Sequence, residues 1–207
     1  MIRFHTLGPA GSCHEHALKR YLAFQGVGEA DIALCDDLVA AAARAVEEGN
    51  SYVLQCSAHL NVHQVTERFL GRLHVVDTFI LPTQEMALVK RRDVARPQTL
   101  GVPEPALGYV NEADWREITF ETTKPVVEQG LLAGRYEAVA YTRSARDHSE
   151  TLEVMRVIGE VVTTWIVYGP KPRYRGKLME ILSRVACRVR CDRLAGDPCD
   201  TCADGAT

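Results

Sequence analysis

The sequence predicts an α/β fold, and three observations carry the prediction. Short apolar, β-rich runs alternate with helical stretches, a spacing that argues for a largely parallel sheet with crossover helices. Helix signals stand where the runs break: Ser12 with Glu15 three residues on, Asp36-Asp37 before Leu38, and Gly49-Asn50 after Glu48. A charged loop, Arg91–Pro97, then separates a first group of elements from a second.

Ile2–Leu7 reads as a short apolar strand running into a loop of Gly8, Pro9, Ala10 and Gly11. A helix over about Ser12–Gln25 follows, with Ser12 as N-cap. The glycines let backbone approach a ligand, and the helix N-terminus offers unpaired N–H groups to an anion. No Gly-Lys-Ser/Thr closes the loop and its spacing is not that of a dinucleotide fingerprint, so the stretch reads as a carboxylate-binding strand–loop–helix. Ala30–Leu34 is a strand, Leu38–Glu48 an alanine-rich helix and Tyr52–Gln55 a buried strand. Val62–Gly71 reads as helical, then Leu73–Leu81 and Glu85–Lys90 as strands on either side of Pro82.

In the second group Thr99–Val102 is a strand, and Pro103 and Pro105 argue against a helix starting directly after it. Ile118–Phe120 is a strand leading through Thr122-Thr123-Lys124-Pro125 into a helix that ends near Gly134. The threonines suit an N-cap and Pro125 the first turn, giving a second anion-facing helix start. Ala138–Tyr141 is a strand, Thr142–His148 a short helix or loop, and Val161–Tyr168 a strong strand stopped by Gly169-Pro170. A helix over Gly176–Arg190 and a Gly- and Asp-rich end complete the chain.

The 207 residues can bury a proper core as one large domain or two lobes, and 46% hydrophobic with 25% charged residues is an ordinary globular composition. A net charge of −3 offers no basic footprint for nucleic acid and no polybasic membrane patch. No apolar run approaches the ~20 residues that span a bilayer. The chain opens directly into a strand, so no signal peptide is expected, and seven cysteines without one point to reduced thiols and a cytoplasmic location.

Seven histidines invite a metal reading. His14 and His16 are two apart on a helix and face different ways; His59 and His63 are i,i+4, but no Glu follows His59, and no metal is expected there. Cys187, Cys191, Cys199 and Cys202 form a C-x3-C…C-x2-C set that would be a zinc site only in an unusual arrangement, and the 187–207 tail is expected to be flexible instead. Cys56 after its strand invites a thiol-nucleophile reading, which no base-orienting pattern supports. Spacing alone thus ends at an α/β protein with two helix starts ready for carboxylates, suited to a small dianionic acid in a cleft.

Three blocks add a family. Leu7-Gly8-Pro9-Ala10-Gly11-Ser12-Cys13-His14-Glu15-His16-Ala17 resembles the opening of prephenate dehydratases, which run from a strand through Leu-Gly-Pro-x-Gly-Thr/Ser into a helix. Thr122-Thr123 resembles that family's second substrate loop. Thr163-Thr164-Trp165-Ile166-Val167-Tyr168-Gly169 falls where dehydratases carry Thr-Thr-Arg-Phe and an apolar strand. The departures are as telling: the Thr-Arg-Phe motif stands here as Thr164-Trp165-Ile166, and Gln55-Cys56-Ser57-Ala58-His59 replaces a Glu-Asn-Ser block. Tryptophan in place of that arginine, with too little chain after residue 170 for a regulatory ACT domain, is the pattern of the bacilysin-type, non-aromatising prephenate decarboxylases.

The resemblance implies two α/β lobes of the type II periplasmic-binding-protein kind: residues 1–81 plus 163–186 in one, 82–162 in the other, with hinges near Pro82 and Val161. It implies a cofactor-free enzyme of specialised metabolism that removes CO2 from prephenate to give a dihydro-4-hydroxyphenylpyruvate. Alternatives on the same fold are a divergent dehydratase forming phenylpyruvate and a non-catalytic binder of small organic acids. Substrate would be held by Gly8, Pro9, Ala10, Gly11, Ser12, Gln55, Ser57, Thr122, Thr123 and Thr163. Thr164 would be the former acid and Trp165 an apolar wall, with His59, Cys56 and Glu85, in that order, as donors of the ring-carbon proton. The expected partner is prephenate or a similar dicarboxylate, and a homodimer is the expected oligomer if the chain self-associates.

Overall fold

Strand β1 (Ile2–Leu7) turns through the Gly8–Gly11 loop, whose Gly8–Pro9 peptide is cis, into helix α1 (Cys13–Phe24). These coordinates are a computed structural model describing residues 1–60, 62–141 and 148–173. Ser12 caps α1 as its spacing predicts: its hydroxyl accepts the Glu15 N–H at 3.1 Å, and the Glu15 carboxylate accepts the Gly11 N–H at 2.6 Å. Strand β2 (Ala30–Cys35) and helix α2 (Leu38–Glu48) follow, α2 capped by Asp37 and stopped by Gly49 at φ 72°. Then come β3 (Tyr52–Cys56), α3 (Val62–Arg68) and β4 (His74–Pro82).

Residues Met1–Pro172 form one compact unit built on two five-stranded sheets. The first has the order β2-β1-β3-β10-β4, where β10 (Val162–Gly169) returns late in the chain to lie between β3 and β4. Alternation along its strands divides the core. Phe4, Leu54, Trp165 and Val167 pack with Leu18 and Leu22 of α1, while Leu7, Val53 and Tyr168 pack with Leu38 and Ala42 of α2 and Val65 of α3.

The second sheet, β7-β6-β8-β5-β9, uses β5 (Met86–Arg91), β6 (Thr99–Pro103), β7 (Glu117–Glu121), β8 (Ala138–Tyr141) and β9 (Leu152–Gly159). Helix α4 (Lys124–Leu132) covers one face through Val127 and Leu131, against Val89, Tyr136 and Val139. Leu100, Val102 and Ala138 on the other face pack with Ala106 of the 3-10 segment Glu104–Tyr109.

The chain passes between the sheets twice, from β4 to β5 and from β9 to β10. The passages lie side by side: Val162 pairs with Pro82, the Thr83 N–H donates to the Val161 carbonyl at 2.8 Å, and the Val161 N–H donates to Thr83 Oγ1 at 3.1 Å.

Three expectations change. The sheets are mixed, because β10 runs antiparallel to both β3 and β4, and β5 antiparallel to both β8 and β9. Strand β9 was not anticipated; it lies at a sheet edge with the consecutive residues Val154, Met155, Arg156 and Val157 all exposed, which leaves no clear burial period. A 3-10 helix does begin at Glu104, since Pro105 fits its first turn, where no N–H is needed. The readings for the rest of Thr142–His148, the 176–190 helix and the four tail cysteines lie outside the described residues. Among the described residues no helix is long and apolar enough to cross a membrane.

Candidate active-site cleft

The start of α1 and the start of α4 both border a cavity of about 270 Å³ between the two sheets. From the first sheet it is lined by Ser12, Cys13, His14, Cys56, His59, Thr163 and Trp165. From the second come Met86, Ala106, Tyr109, Thr122, Thr123 and Lys124.

At α1, the Ser12 N–H is taken by Pro9 and the Glu15 N–H by the Ser12 hydroxyl, which itself donates to the Leu7 carbonyl at 2.8 Å. Capping therefore leaves the N–H groups of Cys13 and His14 for an anion, among the described residues. At α4 the N-cap Thr123 makes no side-chain capping bond, and its hydroxyl is buried with no partner although the residue is 7% exposed. A buried hydroxyl without a partner costs free energy, and here it borders a cavity. Beside it stands Lys124, whose ammonium donates to Cys13 Sγ at 3.3 Å across the cleft.

Trp165 fills the floor. It is 1% exposed, its indole N–H donates to the Leu81 carbonyl at 3.1 Å, and its ring meets His14 edge-on with centroids 5.3 Å apart. His14 Nε2 accepts the Cys56 N–H at 3.3 Å, and the His14 ring also meets His59 edge-on at 5.7 Å. Burial, with smaller contributions from His59 and the Lys124 charge, pushes His14 down to about 3. Burial also lowers His59. Both imidazoles are thus held toward the neutral form. Among the described residues no Asp, Glu or Arg lines the cavity, so the Lys124 ammonium and two helix starts set a positive potential there.

Of the residues singled out in the sequence, Ser12, Cys56, His59, Thr122, Thr123, Thr163 and Trp165 meet at this cleft. Thr164 does not: strand alternation turns it to the opposite face, where its hydroxyl lies 2.5 Å from that of Ser57. The threonine on the cavity side is Thr163, with its Oγ1 3.6 Å from Cys56 Sγ. Ser57 is therefore tied up away from the cavity. Gly8 donates its N–H to the Cys35 carbonyl at 2.7 Å, and Pro9, Ala10 and Gly11 sit exposed in a loop that shapes the start of α1 without lining the cavity. Gln55 is wholly buried on β3 outside the lining, with both amide atoms unpartnered, and Glu85 sits half-buried between β4 and β5, also outside it. Cys13, His14 and Lys124 were missed. The signal for them was present, since each occupies the first turn after an N-cap that the sequence does reveal. Tyr109 carried no such signal. Among the described residues no group of three His, Cys, Asp or Glu side chains is placed to hold a metal.

No protein-family model and no curated protein sequence matches the chain. Solved structures do. A prephenate dehydratase from Arthrobacter aurescens in complex with L-Phe aligns with a TM-score of 0.63 at 19% identity, covering 90% of this chain and 72% of that one. The prephenate dehydratase of Staphylococcus aureus gives 0.57 at 12% identity, covering 91% and 79%. An ABC transporter from Parabacteroides distasonis gives 0.51 at 14% identity, covering 93% and 72%. At these identities the likeness is one of fold: a two-sheet α/β architecture of the kind found in these prephenate dehydratases and in that ABC transporter protein.

Proposed function

We propose that this protein binds prephenate in the cleft and removes its ring carboxylate as CO2 without aromatising the ring. The reading is supported foremost by the cleft's pairing of two carboxylate-seeking ends with an apolar floor. The starts of α1 and α4, with Lys124, suit the two carboxylates of a small dianion. Trp165, its N–H spent on Leu81, presents only hydrocarbon to the ring. Dehydration would need an acid within hydrogen-bond reach of the ring hydroxyl, and Thr164, the threonine at the position that the resemblance gives that role, faces away from the cavity against Ser57. Decarboxylation needs none at that oxygen, and Met86, Ala106 and Trp165 supply the dry wall in which a carboxylate leaves as neutral CO2. The carboxylate–ring bond breaks, its electron pair enters the ring diene, and one proton is added at a ring carbon. The passages near Pro82 and Val161 are the hinges on which the sheets would close over substrate.

The test is incubation with prephenate near neutral pH, read by ultraviolet spectrum and mass without an acid quench, since acid aromatises prephenate. Loss of CO2 with the hydroxyl retained is expected. Loss of both CO2 and water would make the protein a dehydratase, and unchanged substrate would make it a binder or an enzyme for another acid.

A further inference from the structure

We infer that Cys13 delivers the ring-carbon proton, with Lys124 holding its sulfur from the opposite sheet. The inference rests on the decarboxylase reading and assigns the step that reading leaves open. The ring carbanion left by loss of CO2 must be protonated by a group that carries a proton at neutral pH and gives it up readily. The cleft is short of such groups. Neutral imidazoles serve poorly, which describes His14, whose Nε2 is moreover occupied by the Cys56 N–H. The threonine hydroxyls are weaker acids than a thiol.

Among the described residues two thiols line the cavity, Cys13 and Cys56. Their surroundings separate them. Cys56 Sγ faces the Thr163 hydroxyl at 3.6 Å. Cys13 Sγ accepts from the Lys124 ammonium at 3.3 Å, and Cys13 is the first residue of α1, so an ammonium and a helix start both face the sulfur. Thr123, next in sequence to Lys124, carries the buried hydroxyl without a partner, which points to a ligand oxygen beside this pair. Substrate bound there would bring its ring to the sulfur.

The step balances without a further reactant. The carboxylate–ring bond breaks and CO2 departs; the S–H bond breaks and its proton goes to the ring carbon; the thiolate remains against the ammonium. Lys124 then returns a proton to sulfur and regains one from water, so one proton is consumed per turnover and nothing is oxidised or reduced.

The full-length chain and its Cys13→Ala, Cys13→Ser and Lys124→Met variants would be assayed on prephenate, with alkylation of each cysteine mapped by peptide mass. Cys13→Ala is expected to lose about 100-fold or more in kcat with KM little changed, in the range of a lost general acid. Cys13→Ser, which keeps an acceptor for Lys124, is expected to fold normally and remain nearly as slow, and it decides the matter should the alanine variant melt early. Lys124→Met is expected to lower kcat and raise KM together. Prephenate should shield Cys13 of the unsubstituted chain from alkylation. Activity within fivefold of the unsubstituted chain in Cys13→Ser or Cys13→Ala overturns the assignment alone. No prephenate turnover by the unsubstituted chain overturns the parent reading, and this step with it.

Discussion

Thr123 poses the sharpest question at the scale of a residue, because a buried hydroxyl with no partner is normally selected against. Its free-state cost, about 1–3 kcal/mol for a group of this kind, is removed if a ligand oxygen fills the gap. Thr123→Val should therefore leave the melting temperature unchanged or higher, while weakening binding of the dicarboxylate about 5- to 10-fold, near 1 kcal/mol; calorimetry and thermal melts on one preparation would check both. His14 carries a second prediction. Its folded pKa of about 3 lies below the ordinary 6.5, so between those values the unfolded chain binds the extra proton. Stability is whole above pH 6.5 and falls as pH drops, by at most about 1.4 kcal/mol per pH unit from this group. Urea melts across that window should show the slope, and His14→Gln should flatten it. The sequence located both helix caps but singled out Thr164 for the acid role, whereas Thr163 is the threonine on the cavity side. Side-chain alternation settles which threonine faces the cleft, and its phase is invisible until the strand's neighbours are known.

Elements were most legible where local chemistry is strong. Ser12, Asp37 and Gly49 bound α1 and α2 as read, because caps and left-handed stops are decided within one turn. Strand β9 was lost because an exposed edge carries little pattern, and the mixed sheet order was lost because strand direction depends on where the chain returns. The second sheet also has a packing constraint that no local pattern announces. Tyr136, 1% exposed, lies between β6 and α4, donates to the Val127 carbonyl at 2.7 Å, and is pushed up to about 12 by burial. A β-carbon at Gly101 or Gly130 would fall inside its side chain. Gly101→Ala should cost about 1–3 kcal/mol by forcing that ring aside, measured as a lower midpoint in denaturant, and Tyr136→Phe on the Gly101→Ala background should recover little of it, since the ring itself is the obstacle.

Taken whole, the molecule is two sheets joined by two neighbouring passages that are hydrogen-bonded to each other through Thr83 and Val161. That geometry lets ligand groups be supplied from both sides: Cys13, His14 and Trp165 from one sheet, Thr123 and Lys124 from the other. The charged loop Arg91–Pro97, read as the break between two groups of elements, instead falls between β5 and β6 inside the second sheet. What no local signal conveyed was that the chain changes sheet near Pro82 and Val161, and that the last strand goes home to the first sheet.

The central place of β10 bears on how the protein is made. Strands β3 and β4 are separated in the finished sheet by residues 162–169, so the first sheet stays split until those residues leave the ribosome. At about 5–20 residues per second, the wait between Pro82 and Gly169 is roughly 4–17 s. During that time the apolar faces of Leu54 and Val76 lack Trp165 and Val167 to cover them. The second sheet, wholly emerged by then, is free to fold first, so the half of the protein begun earliest is the half completed last.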